Sequence, residues 1–139
     1  YERCIRWQAS AGGHKNSHFI TGGKVRMNKE TVVILNRNGM GDGPQELRHI
    51  LISKLFTLAL ESGELPNKIL FYNEGIKLAC NGSPIIDQLK QMEAKGVELV
   101  LCQTCLNFFA LQDQVQVGVI GGMGDMLEAM QKAPKLLNL

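Results

Sequence analysis

Apolar residues fall along this chain in two alternating modes: short unbroken runs of strand length, and longer stretches spaced three and four apart. That alternation predicts strands interleaved with helices. Thr31-Val32-Val33-Ile34-Leu35 is an unbroken run, the mark of a central parallel strand covered on both faces. A helix follows: Pro44 suits its first turn, Leu47, Ile50, Leu51, Leu55, Leu58 and Ala59 define its expected inner face, and Gly63 stops it. Lys68 to Tyr72 reads as a second strand. Ser83-Pro84 opens a second helix with Ile85, Ile86, Leu89 and Met92 inward, closed by Gly96. Val97 to Leu101 is the third strand, about Thr104 to Leu111 a short helix, and Val115 to Ile120 a fourth strand. A last helix runs from Asp125 to Lys132 with Met126, Leu127 and Met130 inward, and Lys135 to Leu139 forms a short terminal strand.

This order predicts one α/β domain over residues 27–139, a three-layer flavodoxin-like fold with a mostly parallel sheet of about four to five strands. Residues 1–26 carry neither period but do carry Gly12-Gly13 and Gly22-Gly23, and read as a flexible N-terminal extension. In parallel sheets ligands sit beyond the carboxyl ends of strands. Three conspicuous segments fall there: Gly39-Met40-Gly41-Asp42-Gly43, Asn73-Glu74-Gly75-Ile76-Lys77 and Cys102-Gln103-Thr104-Cys105.

Composition narrows the classes. The formal charge is +2, and the basic excess sits in the first 29 residues, where Arg3, Arg6, Lys15, Lys24, Arg26 and Lys29 face Glu2 alone. The remainder lacks the basic stripe with interleaved aromatics that nucleic-acid binding requires. No apolar run reaches membrane-spanning length, because Lys54 interrupts Ile50 to Leu60. Four cysteines at positions 4, 80, 102 and 105 form no disulfide framework, which suits a reducing, cytoplasmic setting. Zinc would need two ligands beyond the Cys102/Cys105 pair, and Cys4, Cys80, His14, His18 and His49 supply no second paired motif. Neither a metal nor a cofactor is expected, since the glycine-rich turn fits neither the dinucleotide fingerprint nor the P-loop.

The cysteine pair stands where a strand gives way to a helix. Free amides and the positive end of the helix dipole there favour a thiolate and depress its pKa. The plain alternative is two small buried residues at a strand end. Gly39 to Gly43 either presents amides to an anion or makes a turn that needs positive φ. Lys77 either points to solvent or folds over the cysteine loop to stabilise a thiolate. Asn73 either orients a substrate or caps its own loop, and Glu74 and Asp42 are candidate proton carriers.

Gly39-Met40-Gly41 followed by Glu46-Leu47, then Phe71-Tyr72-Asn73-Glu74-Gly75-Ile76-Lys77-Leu78, then Cys102-Gln103-Thr104-Cys105-Leu106, resembles the DsrE/DsrF-like sulfur-relay superfamily, and within it the carboxy-terminal domain of YedF proteins. The resemblance covers about Met27 to the end. It implies persulfide chemistry on Cys105 with Cys102 as its neighbour, and the expected mechanism makes Cys102 the resolving thiol; the segments at the strand ends are expected to give a substrate site at Gly39, Met40, Gly41, Asn73, Lys77 and Thr104. It further implies sulfur donors and acceptors, proteins or small thiols, as partners, a homo-oligomer, and a link to selenium metabolism. The chain departs from the family pattern at Gln103, where glycine is usual, and at Gly121-Gly122-Met123-Gly124. The alternative class is an oligomeric binding or redox-sensing module whose cysteines are structural.

Overall fold

The computed structural model describes residues 27–139, so the expected N-terminal extension lies outside the described residues. Strands and helices alternate as the pattern predicts: β1 (Thr31–Leu35), α1 (Gln45–Ser62), β2 (Lys68–Phe71), a 3₁₀ segment (Asn73–Ala79), α2 (Ile86–Ala94), β3 (Glu98–Cys102), α3 (Gln103–Phe109), β4 (Val119–Gly121), α4 (Met123–Lys132) and β5 (Lys135–Asn138). All pairings are parallel, in the order β4-β3-β2-β1-β5. Helices on both faces complete the three layers of a flavodoxin-like arrangement.

Strand alternation divides the core in two. Val33, Leu35, Ile69, Phe71, Leu99 and Leu101 face the larger cluster, closed by Ile52, Phe56 and Ala59 of α1 and Leu89 and Met92 of α2. Val32, Leu70, Val100 and Cys102 face the smaller one, closed by Met126 of α4. From β1 to β4 the chain steps across the sheet in one direction, and from β4 to β5 it returns. A right-handed crossover on the return requires the opposite face, which is where α4 lies.

Two expected helix faces are corrected. On α1 the buried residues are Ile52, Phe56 and Ala59, whereas Leu47 (46% exposed), Ile50 (52%), Leu51 (40%) and Leu58 (50%) face outward. Of the expected face, Ala59 is buried and Leu55 packs against the core, but apolar residues surround this helix almost evenly and periodicity placed the other four on the wrong side. On α4, Met126 is buried and Met130 partly so, but Leu127 is exposed.

The fourth strand is also shorter than the expected Val115 to Ile120. Gly118 takes a positive φ of 86° and lies so close to Leu99 and Leu101 that a Cβ would sit 2.6 Å from the Leu101 side chain. That turn breaks the extended run and leaves Val115 bridging antiparallel to Cys80.

Candidate functional site

The site is assembled at the carboxyl ends of β1, β2 and β3. After Phe71 the backbone stays extended through Tyr72, then turns into the left-handed region at Asn73, with φ of 53°. Asparagine tolerates this conformation better than most residues. The turn aims the Asn73 N–H across to α3, where it donates to Cys105 Sγ at 3.0 Å. Two of the expected site residues, 32 positions apart, are thereby joined.

The 3₁₀ segment that follows buries Gly75, Ile76, Leu78 and Ala79. It approaches β1 so closely that a Cβ on Gly75 would stand 1.9 Å from the Leu35 carbonyl oxygen. Beyond Asn73 its outward residues are Glu74 and Lys77, paired at 3.3 Å. The Lys77 ammonium also stands 4.7 Å from the centre of the Phe109 ring on α3, a cation–π distance. Phe109 lies four residues beyond Cys105, on the same side of that helix.

Cys102 is fully buried on the α4 side of the sheet, while Cys105 is partly exposed and packs against both core clusters. The pair is therefore stepped, with one thiol beneath and one at the mouth. The expected depression of the Cys105 pKa is corrected by the structure: it is raised. Loss of water around Sγ dominates, the Asn73 amide pulls the other way, and the neighbouring Cys102 adds to the rise. Helix α3, only seven residues long, supplies a weak dipole against that burial. Cys80 is buried, and burial pushes its thiol up as well.

The glycine-rich turn folds onto α1. Gly39 N–H donates to the Arg37 carbonyl at 2.8 Å and Met40 N–H to the Arg48 carbonyl at 3.1 Å, so those two amides are engaged within the turn. Arg37 pairs with Asp42 across it. Gly41 has a positive φ and open space around it, and Thr104 is exposed in the first turn of α3. The hydrogen bond from Asn36 Nδ2 to Tyr72 Oη, 3.3 Å, ties the ends of β1 and β2 beside the site. Sequence reasoning missed Phe109, whose part emerges only when α3 and the 3₁₀ segment pack together. Among the described residues no group of His, Cys, Asp and Glu is disposed to hold a metal, and no helix is long and apolar enough to cross a membrane.

The role of Asn73 is testable. Asn73→Val disfavours the left-handed turn and withdraws the amide from Cys105, whereas Asn73→Gly keeps it. Removing a pKa-lowering contact drives the Cys105 pKa further up and leaves less thiolate at neutral pH. Alkylation rate against pH should shift to higher pH in Asn73→Val and stay in place in Asn73→Gly. Coincident profiles for wild type and Asn73→Val would contradict the assignment.

The described residues thus form a small parallel α/β domain with a buried thiol, Cys102, at the last residue of β3 and a partly exposed one, Cys105, in the first turn of α3. The chain belongs to the DsrE/DsrF-like family, whose profile matches residues 32–139. No curated protein matches it by sequence. Among solved structures it resembles the ychN protein of E. coli (TM-score 0.59, 20% identity, covering 81% of this chain and 100% of that one). It also resembles MTH1491 of Methanobacterium thermoautotrophicum, a protein of unknown function (TM-score 0.58, 16% identity, 78% and 97% covered). A third likeness is BT1422 of Bacteroides thetaiotaomicron, a conserved protein of unknown function (TM-score 0.57, 17% identity, 79% and 95% covered). At these identities the structural likeness establishes the fold.

Proposed function

We propose that this domain carries sulfane sulfur as a persulfide on Cys105 and passes it to a partner thiol. The observation that carries the reading is the Asn73 N–H on a partly exposed Cys105 Sγ, because an amide aimed at sulfur stabilises the anion that must form there. The Cys105 thiolate attacks the outer sulfur of a donor persulfide. A bond forms between Sγ and that sulfur, the donor S–S bond breaks, and its electron pair leaves on the donor thiolate. Cys102 acts as the resolving thiol: its thiolate attacks Cys105 Sγ, closing a disulfide and expelling the outer sulfur as hydrosulfide. Since the Cys105 pKa is raised, loading should accelerate as pH rises from neutrality, when more of the thiol ionises.

Residues 27–139 are the working unit in this reading, in a reducing cytoplasmic setting. Its partners are protein or small-molecule sulfur donors and acceptors. The finer kinship, with the YedF carboxy-terminal domain and selenium metabolism, rests on the motif from Phe71 to Leu78 together with the cysteine pair. The outward apolar stripe of α1 supports a homo-oligomer.

Intact mass after incubation with a cysteine desulfurase and cysteine tests the proposal. Cys102→Ser should gain and keep one sulfur, wild type should gain one sulfur or, where Cys102 has resolved it, show the mass of the Cys102–Cys105 disulfide, and Cys105→Ser should gain none. Absence of added sulfur on every form, with thiols that resist alkylation even at alkaline pH, would favour the alternative of a binding or redox-sensing module.

A further inference from the structure

The resolving step proposed above leaves a product that must be reduced before another cycle. When Cys102 displaces the outer sulfur from Cys105, that sulfur is reduced to hydrosulfide and the two cysteines are oxidised to a disulfide. The local geometry suits this ring. Cys102 is the N-cap of α3 and Cys105 the third residue of the helix, and helix geometry sets such Cα atoms about 5 Å apart, within the range disulfides span. The side chains are near enough for Cys102 to raise the Cys105 pKa.

Burial decides which sulfur of that disulfide a reductant meets. Cys102 is fully buried, whereas Cys105 is partly exposed. Attack by an incoming thiolate is therefore directed to Cys105 Sγ, and Cys102 departs as the thiolate. The mixed disulfide so formed still has Cys102 three residues away. A monothiol is expelled again, because re-attack by Cys102 within the molecule outruns the arrival of a second free thiol. A reductant that carries its second thiol beside the first closes its own disulfide intramolecularly and escapes this reversal. The electron pair of the last broken bond then stays on Cys105 Sγ, which the Asn73 N–H reaches at 3.0 Å.

The surface beside Cys105 suits a protein as the carrier of those two thiols. Phe108 is 81% exposed, more than any other large apolar side chain among the described residues. It stands three residues after Cys105 on α3, and positions three apart are neighbours on a helix, so its ring flanks the partly exposed sulfur. Perpendicular packing on Phe109, with 5.1 Å between ring centres, holds it there. A fixed and uncovered aromatic is the kind of side chain that anchors a protein partner.

We infer that a dithiol reductase protein regenerates this domain, docking on Phe108 and attacking Cys105 Sγ. The inference takes the origin of the disulfide from the persulfide reading above. The first thiolate of the reductant bonds to Cys105 Sγ as the Cys102–Cys105 bond breaks, its electron pair leaving on Cys102. The second thiolate then attacks the first sulfur of the reductant and releases Cys105. The reductant ends as a disulfide, and its two protons pass to Cys102 and Cys105.

Diamide makes the disulfide without sulfur loading, and intact mass reads it as the loss of two hydrogens. Oxidised wild type, mixed with a thioredoxin whose resolving cysteine is replaced by serine, should be captured as a mixed disulfide. Fragmentation of the linked peptide should place the link on Cys105 and leave Cys102 free. With unaltered thioredoxin, its reductase and NADPH, the pair should be reduced, and Phe108→Ser should slow that reaction about fivefold or more. The same variant should match wild type when dithiothreitol is the reductant. Glutathione at equal thiol concentration should act roughly tenfold or more slowly than dithiothreitol. Failure of diamide to close the disulfide, no reduction by thioredoxin, a link through Cys102, equal thioredoxin rates for wild type and Phe108→Ser, or glutathione as fast as dithiothreitol would each overturn the inference. Regeneration as expected in a protein whose Cys105 never gains sulfur from the desulfurase would uphold the reductase and refute the persulfide reading instead.

Discussion

Gly75→Ala is expected to cost about 3 kcal/mol or more of stability and to disconnect Cys105 from its amide partner. The added Cβ would meet the Leu35 carbonyl oxygen at 1.9 Å and its carbon at 2.5 Å, and backbone on a central buried strand cannot step aside as a flexible side chain does. The same carbonyl accepts the Tyr72 N–H at 3.2 Å, so relief of the clash must break the contact that seats the 3₁₀ segment against β1. Asn73 begins that segment, and its amide moves with it. Thermal unfolding should show a midpoint roughly 10 °C or more below wild type for a domain of this size. Surviving folded protein should show a Cys105 alkylation profile displaced to higher pH. A midpoint within about 2 °C of wild type would mean that the close approach of Gly75 to Leu35 does not hold in solution.

Ile50→Glu is expected to dissociate the proposed homo-oligomer while leaving the subunit folded. Ile50 is already 52% exposed, so the charge costs the isolated subunit little, about 0.5 kcal/mol or less. In an assembly that covers the outward stripe of α1, each subunit forfeits about 2 kcal/mol of apolar burial and must also bury an unpaired carboxylate. Together these weaken association by about a thousandfold or more. Sedimentation velocity at micromolar concentration should show wild type as a defined oligomer and the variant as a monomer with an unchanged circular dichroism spectrum. A wild type that sediments as a monomer, or a variant that still assembles, would remove α1 as the contact surface.

Particular elements show how far the amino-acid order reaches. The β1 run Thr31 to Leu35 is apolar at four of its five positions because a central parallel strand is covered on both faces, and all five residues are buried. Gly63, in the left-handed conformation, ends α1 where the pattern places the stop, and its N–H returns to the Ala59 and Leu60 carbonyls. The inner face of α1 was legible only at Leu55 and Ala59, since leucine and isoleucine occupy positions all round the helix and nothing local distinguishes a core contact from a partner contact.

At the site, the two cysteines and their strand-to-helix position were visible in the sequence, as were Asn73 and Lys77 as candidates. What joined them was not. The bond from Asn73 to Cys105 spans 32 positions and exists only because β2 and β3 lie side by side. The direction of the Cys105 pKa was misread for a related reason. Position at a helix start is a local property, but desolvation depends on everything packed around the sulfur, here both core clusters and Cys102.

By itself, then, the sequence determined the alternating strands and helices, the parallel sheet they imply and the thiol pair at a strand-to-helix junction, because each depends on periodicity or on neighbours a few residues away. Only the tertiary structure decided which face of α1 is buried, which amide meets Cys105, how Lys77 reaches Phe109 and how strongly the sulfur is shielded from water. Those are set by packing between segments distant in the chain, where burial and hydrogen bonding are properties of the whole fold.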